Sequence, residues 1–156
     1  ERFHRPLYWH IRRMVVSHDD AQDVLQNTFL QIHLHLGELR DTSTERAWVY
    51  RIATNEALQW LRQKREFLSL DSDDATALLN TLHTDMYIDT GDKLALLFQE
   101  AIRILPTMQR TVFNLRYYDE ISYEDIAQIT GSSVGAAKTN YHFAKEKISK
   151  YITELS

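Results

Sequence analysis

Residues 117–148 read Tyr-Tyr-Asp-Glu-Ile-Ser-Tyr-Glu-Asp-Ile-Ala-Gln-Ile-Thr-Gly-Ser-Ser-Val-Gly-Ala-Ala-Lys-Thr-Asn-Tyr-His-Phe-Ala-Lys-Glu-Lys-Ile. The pattern predicts two helices joined by a short turn containing glycine, the layout of a DNA-binding helix-turn-helix. Ser122 is placed to cap the first helix, and Asp125 three residues on completes a capping box. Ile126, Ala127 and Ile129 supply its buried side. Gly131 stands where a left-handed residue ends a helix at little cost. Ser133 is placed to cap the second helix, whose Val134, Ala137, Tyr141, Ala144 and Ile148 recur at helical spacing. Ser133, Gly135, Ala136, Lys138, Thr139 and His142 then fall at its start and on its outward side. Small residues there let a partner's backbone come close. An ordinary helical hairpin that touches no nucleic acid is the competing reading of this stretch.

The rest of the chain fits an all-α protein. Four glycines and two prolines in 156 residues leave long stretches uninterrupted. Hydrophobic content of 44% with 26% charged residues belongs to a soluble globular chain. The absence of cysteine rules out disulfides and thiolate metal sites and favours a reducing cytoplasm. No apolar run reaches the roughly 18 residues of a membrane helix, so no membrane insertion is expected. The net charge of −4 is unevenly spread. Residues 1–66 hold ten Lys/Arg against nine Asp/Glu, residues 67–100 one against seven, and residues 101–156 seven against six. The excess acid is therefore in the middle. Neither flank is basic enough for tight duplex binding alone, since affinity grows with the phosphates neutralised.

Three helices are predicted in the N-terminal part, over about 6–17, 19–36 and 45–65. The third is opened by Thr42-Ser43-Thr44-Glu45, a capping box. Residues 67–91 have loop and linker composition. A second helical lobe starts at Asp92, with Pro106 separating its first two helices. The expected architecture is two small helical domains joined by a flexible acidic linker, with boundaries 1–66, 67–91 and 92–156.

Two helices carry more than core residues. In the second, Ala21, Val24, Leu25, Thr28, Phe29, Ile32 and Leu36 form the core stripe. Leu30 and Leu34 lie roughly 140–180° away from Leu25, beside Asp20, Asp23, Asn27 and Gln31. They are either incidental, packed on the C-terminal lobe, or the centre of a protein–protein contact. In the third, Trp48, Tyr50, Arg51, Asn55, Trp60, Arg62, Lys64 and Arg65 mix aromatic and basic groups, with Ala47, Ile52, Ala57, Leu58 and Leu61 as the buried stripe. Rings stack on unpaired bases while Arg and Lys follow phosphates, so the mixture suits opened DNA. The plainer reading makes the tryptophans core and Arg62–Arg65 a solvated helix end.

Together these segments resemble an extracytoplasmic-function sigma factor, a small bacterial member of the sigma-70 family of transcription initiation factors. Asp-Asp-Ala-Gln-Asp-Val-Leu-Gln-Asn-Thr-Phe-Leu (19–30) is similar to the family's core-polymerase-binding segment, and Ala-Trp-Val-Tyr-Arg-Ile-Ala-Thr-Asn-Glu-Ala-Leu (47–58) to its −10 element segment. Ile104-Leu105-Pro106 with Gln109-Arg110 and Val112-Phe113 is similar to the start of its second domain. Ser122–Ala127 with Ser133-Val134-Gly135 and Lys138 matches its −35-reading helix-turn-helix.

The resemblance implies that Asp20, Asp23, Asn27, Leu30 and Leu34 meet core RNA polymerase. It places the unpaired −10 strand on Arg40, Thr42, Ser43, Trp48, Arg51, Asn55, Arg62, Lys64 and Arg65. It gives the −35 duplex to Ser133, Gly135, Ala136, Lys138, Thr139 and His142. It also implies an anti-sigma partner, no catalytic residues, no metal and no cofactor. Asn140 and Phe143 stand where the family usually has basic residues, and Gln59 replaces a frequent acidic one. A stand-alone helix-turn-helix regulator, dimeric on duplex DNA, is the alternative. An enzyme is a weak third choice, because no phosphate loop, His-Glu-x-x-His or Ser-x-x-Lys motif is present. His33 and His35 point differently on a helix and make a poor metal pair.

Overall fold

Helix boundaries in this molecule follow its capping chemistry, and the way the helices then share a core was not foreseeable from them. The computed structural model describes residues 2–41, 44–67 and 92–155. Within them run seven α-helices: α1 (His4–Val15), α2 (His18–Leu34), α3 (Glu45–Phe67), α4 (Lys93–Arg103), α5 (Thr107–Tyr117), α6 (Tyr123–Thr130) and α7 (Val134–Leu155). A 3-10 turn, Leu36–Glu38, follows α2.

Ser17 accepts from the Asp20 amide to start α2. Asp92 accepts from the Leu94 amide to start α4, and Ser122 accepts from the Asp125 amide to start α6. Each satisfies a donor that the first helical turn leaves without an intrahelical partner. Gly131 ends α6 at φ 68°, the left-handed conformation expected for it. Thr42 and Ser43, and with them the predicted cap of α3, lie outside the described residues, as does the connector 68–91.

Between α1 and α2 the chain reverses at Val16, whose φ of 82° is rare for a β-branched residue. The Ser17 amide returns to the Val15 carbonyl at 3.0 Å, closing a tight three-residue turn. Leu7, Ile11, Met14 and Val15 of α1 are thereby buried against Ala21, Val24 and Leu25 of α2 and the inner face of α3.

The core differs from expectation in two ways. The buried face of α3 is Ala47, Val49, Tyr50, Ala53, Thr54, Ala57 and Leu61, whereas Ile52 and Leu58 are only half-buried. The face is rotated because α3 is covered from two sides, by α1 and α2 and by α6. Leu36, expected in the stripe of α2, is exposed because the α-helix has already ended at Leu34.

The lobes also do not stand apart. Val112, Leu115, Ile121, Ile126, Ile129 and Ala137 belong to the same apolar cluster as Leu7, Ile11, Tyr50 and Leu61. A second, smaller cluster of Ala101, Ile102, Leu105, Phe113, Ala144 and Ile148 holds α4, α5 and α7 together. The seam between the lobes is α3 on α6 and α1 on α5.

Candidate polymerase and nucleic-acid surfaces

Among the described residues, three surfaces carry the predicted binding groups. The first is the outer side of α2. Leu30 is 54% and Leu34 63% exposed, one helical turn apart, and Asp23 and Asn27 are exposed on the same helix. Asp20 is half-buried and accepts a hydrogen bond from the Ser17 hydroxyl at 2.7 Å, so it is partly committed to the cap. Of the three sequence readings of the leucines, packing on the C-terminal lobe is excluded, because that lobe sits on α1 and α3.

The second surface is a concave pocket of about 220 Å³ between the end of α2 and the first half of α3. Its walls are Gln31, His35 and Glu38 on one side and Trp48, Arg51, Ile52, Asn55 and Glu56 on the other. The structure thus brings together Trp48, Arg51 and Asn55, three of the residues assigned to opened DNA. Positions 48, 51 and 55 fall on one helical face by i, i+3 and i+7 spacing. The opposite wall was missed. His35 Nδ1 and Glu38 Oε2 are 2.7 Å apart, fixing the wall's geometry across the 3-10 turn. The i, i+3 spacing of that histidine and glutamate was the available signal, but it depends on where α2 ends.

Arg40 is exposed in the segment after the 3-10 turn and does not line the pocket. Arg62, Lys64 and Arg65 sit near the end of α3, about two to three turns beyond Asn55, about 10–15 Å further along the axis. They form a separate basic region. There Lys64 Nζ lies 6.0 Å from the Trp60 ring and 5.6 Å from that of Phe67.

The third surface is the start of α7. Ser133 Oγ accepts from the Ala136 amide at 3.0 Å, as its capping role requires. Ser133, Gly135, Lys138, Thr139 and His142 are exposed and Ala136 is half-buried. A Cβ built at Gly135 would meet only Ser133 Oγ, at an ordinary 3.8 Å. The fold itself therefore does not require glycine there, although glycine costs a helix interior about 0.5–1 kcal/mol relative to alanine. Lys138 Nζ lies 5.8 Å from the Tyr123 ring, and His142 Nε2 is 3.3 Å from Glu146 Oε2. Phe143 is exposed and its ring lies beside that of His142.

Among the described residues there is no cluster of metal-ligating side chains, and no helix is long and apolar enough to cross a membrane. The strongest electrostatic perturbations lie elsewhere, at the seam. Burial, reinforced by the Arg13 guanidinium, pushes the His10 imidazole down to about 3. Burial and the neighbouring Asp119 carboxylate raise the Tyr50 phenol. Burial also raises Asp119 itself, with Arg13 opposing.

Known proteins resemble this chain in sequence and fold. Residues 1–67 match the family model of sigma-70 region 2, and residues 95–148 that of sigma-70 region 4. The RNA polymerase sigma-H factor of Pseudomonas aeruginosa is 31% identical over 93% of this chain and 79% of its own length. The extracytoplasmic-function sigma factor SigW of Bacillus subtilis is 28% identical over 92% of this chain and 81% of its own. Among solved structures, the sigma factor RpoE of Bartonella quintana, crystallised with the anti-sigma factor NepR, has the same fold. It gives a TM-score of 0.79 at 21% identity, covering 98% of this chain and 93% of that one. With both family regions present in order and the relatives aligned over more than nine-tenths of this chain, the chain belongs to the extracytoplasmic-function sigma factors of the sigma-70 family.

Proposed function

We propose a division of labour in which residues 1–66 capture core RNA polymerase and hold the opened −10 strand, 67–91 connect, and 92–156 read the −35 duplex. The chain is a promoter-directing initiation factor, and the proposal concerns which residues do the work. Leu30 and Leu34, rimmed by Asp20, Asp23 and Asn27, form the polymerase contact. Trp48 stacks an unpaired base in the pocket while Arg51 and Asn55 hold its edge or phosphate, as stacking platforms beside cations do for single strands. Arg40, Thr42, Ser43, Arg62, Lys64 and Arg65 follow the strand outside the pocket. Ser133, Gly135, Ala136, Lys138, Thr139 and His142 enter the major groove at the start of α7.

The observation that carries this reading is the pocket, in which an aromatic ring, a guanidinium and an amide from one helix converge on a recess open to solvent. A dimeric duplex-binding regulator has no use for such a recess. The even charge of the two flanks fits a protein whose DNA affinity comes from the polymerase, which makes the two contacts intramolecular. The protein acts in the cytoplasm, has no catalytic activity, metal or cofactor of its own, and is restrained by an anti-sigma factor. Run-off transcription with core polymerase on a library of genomic promoters tests the assignment. Discrete transcripts that depend on the added chain are expected, and none from any template would refute it.

A further inference from the structure

Phe143 is 45% exposed, on the same helix that carries Lys138, Thr139 and His142. The buried side of that helix is Ala137, Ala144 and Ile148. At about 100° per residue, the outward positions divide into two halves about Thr139. Phe143 and Ala136 lie about 40° and 60° to one side of it, and Gly135, His142 and Lys138 about 40°, 60° and 100° to the other. The outward face of α7 is thus split lengthwise. One half presents a methyl and a phenyl ring, the other an ammonium and an imidazole, and Thr139 between them carries both a methyl and a hydroxyl.

The groups on the polar half have protein neighbours to steer them. His142 Nε2 is 3.3 Å from Glu146 Oε2, and Lys138 Nζ lies 5.8 Å from the Tyr123 ring. The Phe143 ring is tilted 49° to that of His142 at a centroid distance of 5.8 Å, and much of its surface still faces solvent. Apolar surface in water gains free energy when a partner covers it. Phe143 stands one turn beyond Thr139 on the same side of α7, so a helix that brings Thr139 to the bases brings the ring to the next step along the groove.

The chemistry of the groove floor decides what that ring can meet. Adenine, guanine and cytosine present hydrogen-bond donors and acceptors there, and thymine adds a 5-methyl group. A phenyl ring offers neither a donor nor an acceptor. Pressed on an amino or carbonyl group, it would strip water from that group and leave it unpaired, which is costly. Pressed on a methyl group, it removes apolar surface from water on both sides.

Building on the assignment of α7 to the −35 duplex, we propose that Phe143 is a specificity-determining residue that selects thymine by packing on its 5-methyl group in the major groove. Ala136 and Thr139 extend the same apolar side, and Lys138 and His142 hold the duplex from the polar half.

Deoxyuridine lacks only that methyl and pairs with adenine as thymidine does. Replacing the −35 thymines one at a time, in a promoter that the holoenzyme transcribes, should weaken holoenzyme binding about fourfold at one position, the worth of one buried carbon. Phe143→Ala should weaken binding of the unmodified promoter and abolish the difference between thymine and uracil, with helicity unchanged in circular dichroism. Phe143→Leu, still apolar, should keep part of that difference. A parent protein indifferent to every replacement, a Phe143→Ala variant as sensitive as the parent, or transcribed promoters whose −35 elements lack A·T pairs would each overturn the proposal and leave the −35 assignment standing. Holoenzyme binding unchanged when the whole −35 element is scrambled strikes that assignment instead.

Discussion

The two surfaces assigned to DNA are opposite in shape. The pocket on α3 is concave and needs residues from two helices and a 3-10 turn, whereas the start of α7 is convex and built from consecutive residues of one helix. The difference follows from what each must meet. A base that has left its stack exposes two faces and an edge, and a recess with a ring and polar walls satisfies them together. A duplex keeps its bases stacked and offers only edges at the floor of a groove, which a protruding helix with small residues can approach. On the proposed assignment, one chain carries both because an initiation factor meets DNA in both states.

Substitutions can separate the two surfaces. Leu30→Asp should have the largest effect, abolishing pull-down of core polymerase with unchanged circular dichroism, because it puts a charge in the middle of an apolar contact. Retained pull-down would remove α2 from the interface and leave the two DNA surfaces without their shared anchor. Trp48→Ala comes next. Loss of one stacking platform should weaken binding of a single-stranded −10 oligonucleotide by the holoenzyme by about 1–3 kcal/mol and leave duplex −35 binding alone. Equal losses on both ligands would show that Trp48 is structural.

Lys138→Ala should cost the holoenzyme about 1–3 kcal/mol on its promoter if Lys138 reads a base. If it holds a phosphate, the loss should be similar across sequences and the salt dependence shallower. Promoter binding indifferent to this change would move the reading surface off the start of α7.

The smallest effect concerns the seam shared by both lobes. His10 titrates near 3 when folded and near the ordinary 6.5 when unfolded, so the unfolded chain takes up the proton first as pH falls. Stability should therefore be fully present above pH 6.5 and decline below it, by at most about 1.4 kcal/mol per unit. Asp119, whose folded value is raised, works in the opposite direction, and Arg13, Tyr50 and Thr54 also face His10. Thermal unfolding between pH 7.5 and 5.5 should show the decline, and His10→Gln should flatten it. An equally steep profile in that variant would assign the proton elsewhere.

Local chemistry was legible wherever a single helix decided it. Ser122, Asp125, Gly131, Ser133 and Asp92 are capping residues whose partners lie within a few positions, so the sequence already determined where α4, α6 and α7 begin or end. The exposure of Leu30 and Leu34 and the convergence of Trp48, Arg51 and Asn55 were readable for the same reason, from helical spacing. Long-range packing set which face of α3 is buried, because that depends on α6 arriving from some 70 residues away in the chain. It alone made His35 and Glu38 a wall of the pocket and joined Asp119 to Tyr50, His10 and Arg13. Hydrophobic periodicity says that a face will be covered; long-range packing says by what, and with which polar groups trapped between.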